Sequence, residues 1–349
     1  MSSQTPKQLG FIMPAEWEEH SAVWLAWPYD DTTFPERVEK VEQRFIEIIS
    51  AIHTSENVEL LVLDNTMKEK VVRMLGNADI DLARVNLHII NFQDVWIRDY
   101  GPFFLVNRKD KILGWVKFDY NAYGKAEDPY FTPVLKDRNV FNILTPEGKK
   151  FKVDMVLENG SVDVNGRGTL ITTEQCLLNV NRNPHLSKKQ IEKNLENYLG
   201  VSKIIWLKQG LINDHTDGHV DEIARFVAAN KIVCAYEEDS ADENFEILKT
   251  NYEILKDATD QDSTSFEVIK LPIPHVKFDD GTKAPVSYTN CYIGNKVILT
   301  QTFKDKNDSK ALEIWQSLFP DKSVIGIDCT DIIYGGGAIH CMTQQQPAI

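Results

Sequence analysis

The chain has 349 residues, 42% of them hydrophobic and 26% charged, a balance that fits an ordinary globular protein with room for a large core. Its net charge of −14, from 38 basic and 52 acidic side chains, argues against a nucleic-acid partner and leaves a cationic small molecule or plain solubility as readings. No apolar run is long enough to span a bilayer, MSSQTPKQLG lacks a signal-peptide core, and the 5 cysteines, at positions 176, 234, 291, 329 and 341, do not read as a disulfide framework, so a cytoplasmic protein without a membrane partner is expected.

In chain order, HSAVWLAWP reads as a strand and ERVEKVEQRFIEIISAIH as an amphipathic helix with Val38, Val41, Phe45, Ile48 and Ile49 on one face. The strand VELLVLD follows. LHIINF then leads through the polar QDVWIRDYGP into the strand pair FFLVN and ILGWVKF. The same order returns with FKVDMV, the polar LENG and the hairpin SVDVNGRGTLITT, whose Asn165-Gly166 is a turn signal. The helix SKKQIEKNLENYLG comes next, opened by Ser187 and closed by Gly200. A further pass runs from KIIWLK through QGLINDHTDGHVD to the hairpin ARFVAANKIVCAY and the helix ENFEILKTNYEILKDA. Another runs through FEVIKLPIP, HVKFDDGTKAP, NCYIGNKVILTQTF and the helix SKALEIWQSLF. The last opens with SVIGIDCTDI and YGGGAIHCM and stops.

A unit that recurs and then breaks off suggests a closed ring, with the N-terminal strand and helix completing the last unit. In a ring, Cys341 lies on a strand paired with the N-terminus, and every polar segment faces one centre. Those segments bring Asp94, Trp96, Arg98 and Asp99; Glu158; His215, Asp217, His219 and Asp221; and Cys341. The fourth offers only His275, Asp279 and Asp280. Each has a plainer reading: Asp99 as a turn cap before Gly101-Pro102, Glu158 as a solvated loop acid, Cys341 as a small buried hydrophobe. His215 and His219, four apart, would make half of a zinc site on a helix, but Gly218 and the polar run favour a turn. The other reading of that segment is one catalytic histidine flanked by cation-binding acids.

The blocks MPAEWEEHSAVWLAWP, WIRDYGP, NGRGTLITTEQCLLNVNRNP, HTDGHVDEIARF and GGGAIHCMTQQQP, in this order, resemble those of the agmatine deiminase and bacterial peptidylarginine deiminase-like family of guanidine-modifying enzymes. The resemblance implies an α/β fold, a five-bladed pseudo-symmetric propeller spanning 1–349 as one catalytic domain. It implies a catalytic set of Asp99, Glu158, His219, Asp221 and Cys341, with no metal and no cofactor. The implied activity is hydrolysis of agmatine to N-carbamoylputrescine and ammonia, as in putrescine and polyamine biosynthesis. Arginine or peptidylarginine deimination, a zinc-dependent hydrolase and a non-catalytic propeller are the alternatives. The partner expected is a small cationic guanidine, with a homo-oligomer left open.

Roles follow from the chemistry of a guanidinium, a planar cation whose N–H fork matches carboxylates. Asp99 and Asp221 are assigned to hold it, Trp96 to cover it, Asp217, Gly336 and Gly337 to line its site, and Glu158 to orient His219. Cys341 attacks the central carbon after the bound cation has favoured its ionisation. Two departures from the family pattern stand out. Asn159 occupies a place that is usually glycine, where positive φ is expected, and His215 occupies one that is often acidic.

Overall fold

The computed structural model describes residues 4–349. Among them, strands assemble into five small sheets. Four share one plan, seen clearly where Ala224–Ala228 pairs antiparallel with Lys231–Tyr236. The helix Phe245–Asp257 then crosses over and returns the chain to Glu267–Pro272, parallel to Lys231–Tyr236. Phe103–Asn107, Ile112–Asp119 and Lys149–Val156 repeat it, as do Val162–Val164, Thr169–Thr173 and Lys203–Leu207. Tyr292–Ile293, Val297–Thr302 and Ser323–Asp328 repeat it again.

The remaining sheet joins the two ends of the chain. Gln344–Pro347 pairs antiparallel with His20–Ala26, in register Trp24 to Gln344 and Val23 to Gln345, and so supplies the hairpin partner that the first unit lacks. Asn57–Val62 and Val85–Ile89 complete this sheet in parallel. The result is a closed five-bladed α/β propeller. Its largest core straddles the closure, with Trp27 and Phe45 from the first blade in one cluster with Tyr292 and Trp315 from the last. Burying an aromatic of that size contributes roughly 2–3 kcal/mol.

Local sequence explains most elements. Val38–Ile52 buries Val41, Phe45, Ile48, Ile49 and Ile52 along one stripe. Lys188–Leu199 begins at a capping box formed by Ser187 and Gln190. It ends at Gly200, whose φ of 76° is left-handed and whose N–H bonds the Glu196 carbonyl.

Three features differ from the sequence reading. The helix Asn65–Asn77, capped by Asp64, was not expected: it buries only Val71 and Leu75, too few for a readable stripe. The stretch between Ile112–Asp119 and Lys149–Val156, to which the sequence reading assigned no element, forms short helical turns at Pro133–Asn139 and Val140–Ile143. Cys341 lies in a turn over 339–342, and the strand paired with the N-terminus starts only at Gln344. No helix among the described residues is long and apolar enough to cross a membrane.

Candidate active site

Each blade delivers its contribution at the same place, just ahead of its first strand. Asp99 sits on the short helix Ile97–Tyr100 before Phe103–Asn107. Glu158 caps the turn Asn159–Ser161 before Val162–Val164. His219 and Asp221 flank the start of Val220–Glu222 before Ala224–Ala228. Cys341 precedes Gln344–Pro347. The five-fold arrangement turns these separate positions into neighbours, and all five side chains are buried.

At the centre, Asp99 Oδ1 lies 3.6 Å from His219 Nδ1, and Cys341 Sγ lies 3.8 Å from Asp221 Oδ2. Gly160 marks the point of convergence. A Cβ there would stand 2.8 Å from His219 Nδ1, 2.9 Å from Asp99 Oδ1 and 3.0 Å from Asp221 Oδ2. Its N–H donates to Asp99 Oδ1 at 3.3 Å. Neither ring nitrogen of His219 nor Oδ1 of Asp221 has a protein hydrogen-bond partner, which is rare for buried polar atoms.

The electrostatics follow from crowding acids in a dry place. Burial, with the charges of Asp221 and Glu158 adding to it, pushes Asp99 up to about 7 against the pull of His219. Burial also pushes on Asp221, but the hydrogen bond and charge of His340 outweigh it and hold that carboxyl below its ordinary range. For His219, burial is outweighed by Asp99, Cys176 and Glu158, which lift it well above the ordinary imidazole value. Burial and the charges of Asp221, Asp99 and Glu222 drive the Cys341 thiol well above its usual range. The free site therefore pairs a protonated imidazole with a neutral thiol.

The chain's likeness to known proteins agrees with this geometry. The sequence model of Porphyromonas-type peptidyl-arginine deiminase matches residues 12–347. The chain belongs to that family. It is 34% identical to agmatine deiminase of Pseudomonas aeruginosa, over 99% of this chain and 98% of that one. Its fold superimposes on agmatine deiminase of Enterococcus faecalis catalyzing its reaction with a TM-score of 0.90 at 33% identity, covering 100% and 99% of the two chains. A cysteine-to-serine variant of C. jejuni agmatine deiminase with substrate bound matches with a TM-score of 0.83 at 29% identity, covering 96% of each chain.

Around the deiminase-family centre lies a shell that sequence reasoning missed. Asn290 donates from Nδ2 to Cys341 Sγ at 3.1 Å and accepts at Oδ1 from the His340 N–H at 2.9 Å. It stands ahead of Tyr292–Ile293, so the last blade contributes from the place the others use and not from the polar loop before it. His275 in that loop pairs with Glu237, and Asp279 is exposed beside Arg37. His340 sets Nδ1 2.7 Å from Asp221 Oδ2 and Nε2 2.9 Å from Glu16 Oε2, and Arg225 donates to Glu16 and to Asp163. Arg98 points away from the centre, donating to the His340 carbonyl and to Gln345 Oε1. Arg182 donates from Nε to Glu158 Oε1 at 2.9 Å and to the Thr216 carbonyl at 2.7 Å. Several of these residues stood inside recognisable blocks, but a block does not say which of its members turn inward.

Other expectations need correcting. Asp217, assigned to the substrate, accepts instead from Asn181 and Arg182. Gly335 is required by Phe34 and Trp96, whose rings would lie 2.5 and 2.9 Å from a Cβ there, Gly337 by Trp96 at 2.7 Å, and Gly336, with φ of 92°, lies against His215. The glycine run thus makes room for side chains of this protein. Trp96 itself packs on Phe34 beneath that run. Neither Asn159 nor Gly160 takes positive φ, and Asn159 instead uses its side chain to donate to Gln344 Oε1 at 2.7 Å. His215 stacks on Phe131 and meets Tyr123 edge-on, and it belongs to neither group of described side chains placed to hold a metal ion. Among the described residues, Glu158, Cys176 and His219 could hold a metal ion, as could Glu237, Asp242 and His275. The first set already carries the positive charge of Arg182 on Glu158, which opposes a second cation there.

Proposed function

We propose that the protein is an agmatine deiminase, converting agmatine and water to N-carbamoylputrescine and ammonia in the cytoplasm. The observation that carries this reading is the convergence of two carboxylates and an unpartnered imidazole around Gly160, with the Cys341 thiol beside Asp221. A guanidinium supplies what that arrangement lacks: N–H donors for Asp99 and Asp221, and positive charge among buried acids. It also supplies the field that ionises Cys341, because a cation beside the thiol opposes the effect of the carboxylates, and the thiol proton leaves to solvent as the cation binds.

The thiolate then attacks the guanidinium carbon, forming a C–S bond. His219 gives its proton to one terminal nitrogen, the C–N bond breaks and ammonia leaves. A water molecule adds to the remaining thiouronium carbon while His219 takes back a proton. The C–S bond then breaks to release the ureido product and Cys341. Asn290 supports the sulfur throughout by donating to it. Glu158, fixed by Arg182, lies with Cys176 close to His219 and supports its protonated form.

Ammonia release should be measured over agmatine, free arginine and a blocked arginyl peptide, before and after dialysis against a strong chelator. Agmatine is expected to be turned over best, with no loss after chelation. Preference for the peptide would reassign the substrate, and activity that follows zinc content would replace the thiol mechanism.

A further inference from the structure

We propose that Tyr123 is a positioning residue for the reaction, holding Asp99 by a hydrogen bond from its hydroxyl; this rests on the reading of Asp99 as a guanidinium-binding carboxylate. The hydroxyl donates to Asp99 Oδ2 at 2.9 Å, while the Gly160 N–H takes Oδ1. Both oxygens are thereby fixed, and each keeps a lone pair for a cation. The tyrosine is itself buried and neutral, since burial and the charge of Asp99 raise it well above its ordinary value.

The backbone that delivers this hydroxyl is strained. Ala122, Tyr123 and Gly124 take φ of 55°, 58° and 73°, three successive left-handed residues of which two carry side chains. Such a conformation persists only when its surroundings over-determine it, and strain of this kind gathers at functional sites. The bracing is visible here. Asn121 Oδ1 accepts from the Gly124 N–H at 2.8 Å, and Asn121 Nδ2 donates to the Asn181 carbonyl at 2.9 Å. A Cβ on Gly124 would stand 2.6 Å from that same carbonyl. Next in the chain, Arg182 holds Glu158, so one short segment anchors both the tyrosine turn and the acid beside His219. The ring packs edge-on against Tyr120, Phe131 and His215.

A buried tyrosine needs some acceptor, so the hydrogen bond alone does not separate positioning from packing. Tyr123→Phe does, because it keeps the ring and removes one donor. The other charged groups facing Asp99, namely His219, Asp221 and Glu158, are unchanged in that variant. The bond favours the ionised carboxylate, so its loss raises the pKa of Asp99. With agmatine as substrate, kcat/KM should fall ~10- to 100-fold, the usual range for a hydrogen bond to a charged group. The acid limb of its pH profile should move to higher pH, with the melting temperature almost unchanged. In an Asp99→Asn background, Tyr123→Phe should cost nothing further. A Tyr123→Phe enzyme with wild-type kcat/KM and acid limb would overturn the proposal, as would a loss that adds in full to that of Asp99→Asn. Wild-type protein that releases no ammonia from agmatine would instead sink the functional reading.

Discussion

At the scale of single residues, the two carboxyls of the centre shift in opposite directions, Asp99 up and Asp221 down. Asp99 rises to about 7 because it is buried among other acids, so below neutrality it carries a proton that a guanidinium must displace. Binding a cation is thus coupled to proton release, and kcat/KM should decline as pH drops below about 7. The same linkage can be read without turnover. In a Cys341→Ser variant, agmatine should raise the melting temperature more at pH 8 than at pH 6; equal shifts would mean that Asp99 is already ionised at the lower pH. That variant should itself be inactive while binding agmatine, since the hydroxyl is a far weaker nucleophile than a thiolate. Mass spectrometry of wild-type enzyme quenched during turnover should find the adduct on Cys341, and an active serine variant would remove it as nucleophile. Asp221→Asn should lower kcat/KM on the order of 30- to several-thousand-fold, because it leaves a buried cation short of one charge partner. Asp279→Asn, at an exposed site, should do little.

At the scale of elements, the working pieces are the short turns that precede the first strand of each blade. They combine a close approach of backbone with one or two inward side chains, and Gly160 is the one whose three nearest neighbours are His219, Asp99 and Asp221. Ala at this position would drive a methyl group to within 3.0 Å of His219, Asp99 and Asp221 at once. The turn does not need positive φ, so its backbone can accept alanine and the damage should be to geometry. Gly160→Ala is expected to lower turnover roughly 100-fold, as displacements near 1 Å in a catalytic constellation do, with a melting point close to wild type. If activity survives within a few-fold, the three groups do not converge as tightly as described.

At the scale of the whole molecule, the ring closes through one sheet made from both ends of the chain. Gln344–Pro347 lies against His20–Ala26, and Gln345 accepts at Oε1 from the buried guanidinium of Arg98 at 2.6 Å. Removing 344–349 takes away that strand pairing and leaves Arg98 short of a partner, a defect costing about 1.5–3 kcal/mol by itself. The turn carrying Cys341 would lose its anchor in the same step. We expect the truncated protein to melt several degrees lower and to lose turnover. A truncated chain that melts with the full-length protein would show that the ring does not depend on this closure.

Most of the order of strands and helices, the repeat and the break at the C-terminus were legible in the chain because period and capping are local properties. Ser187 and Gly200, for example, bound their helix in the structure as they do in the sequence. Asp99, Glu158, His219, Asp221 and Cys341 were singled out because they stand at matching places in recurring units, and those blocks resemble a known family. What the chain could not state by itself was direction. Asp217 and Asp221 look alike in sequence, yet one pairs with Arg182 and the other sits 3.8 Å from the Cys341 sulfur. Glycines 335–337 signal only that side chains are excluded, and which rings fill the space is decided by segments more than a hundred residues away. Asn290, His340 and Tyr123 carry no periodic or compositional signal at all. Their roles arise when closure of the ring brings distant turns together in a buried centre, where each polar group must find a partner among whatever the other blades present.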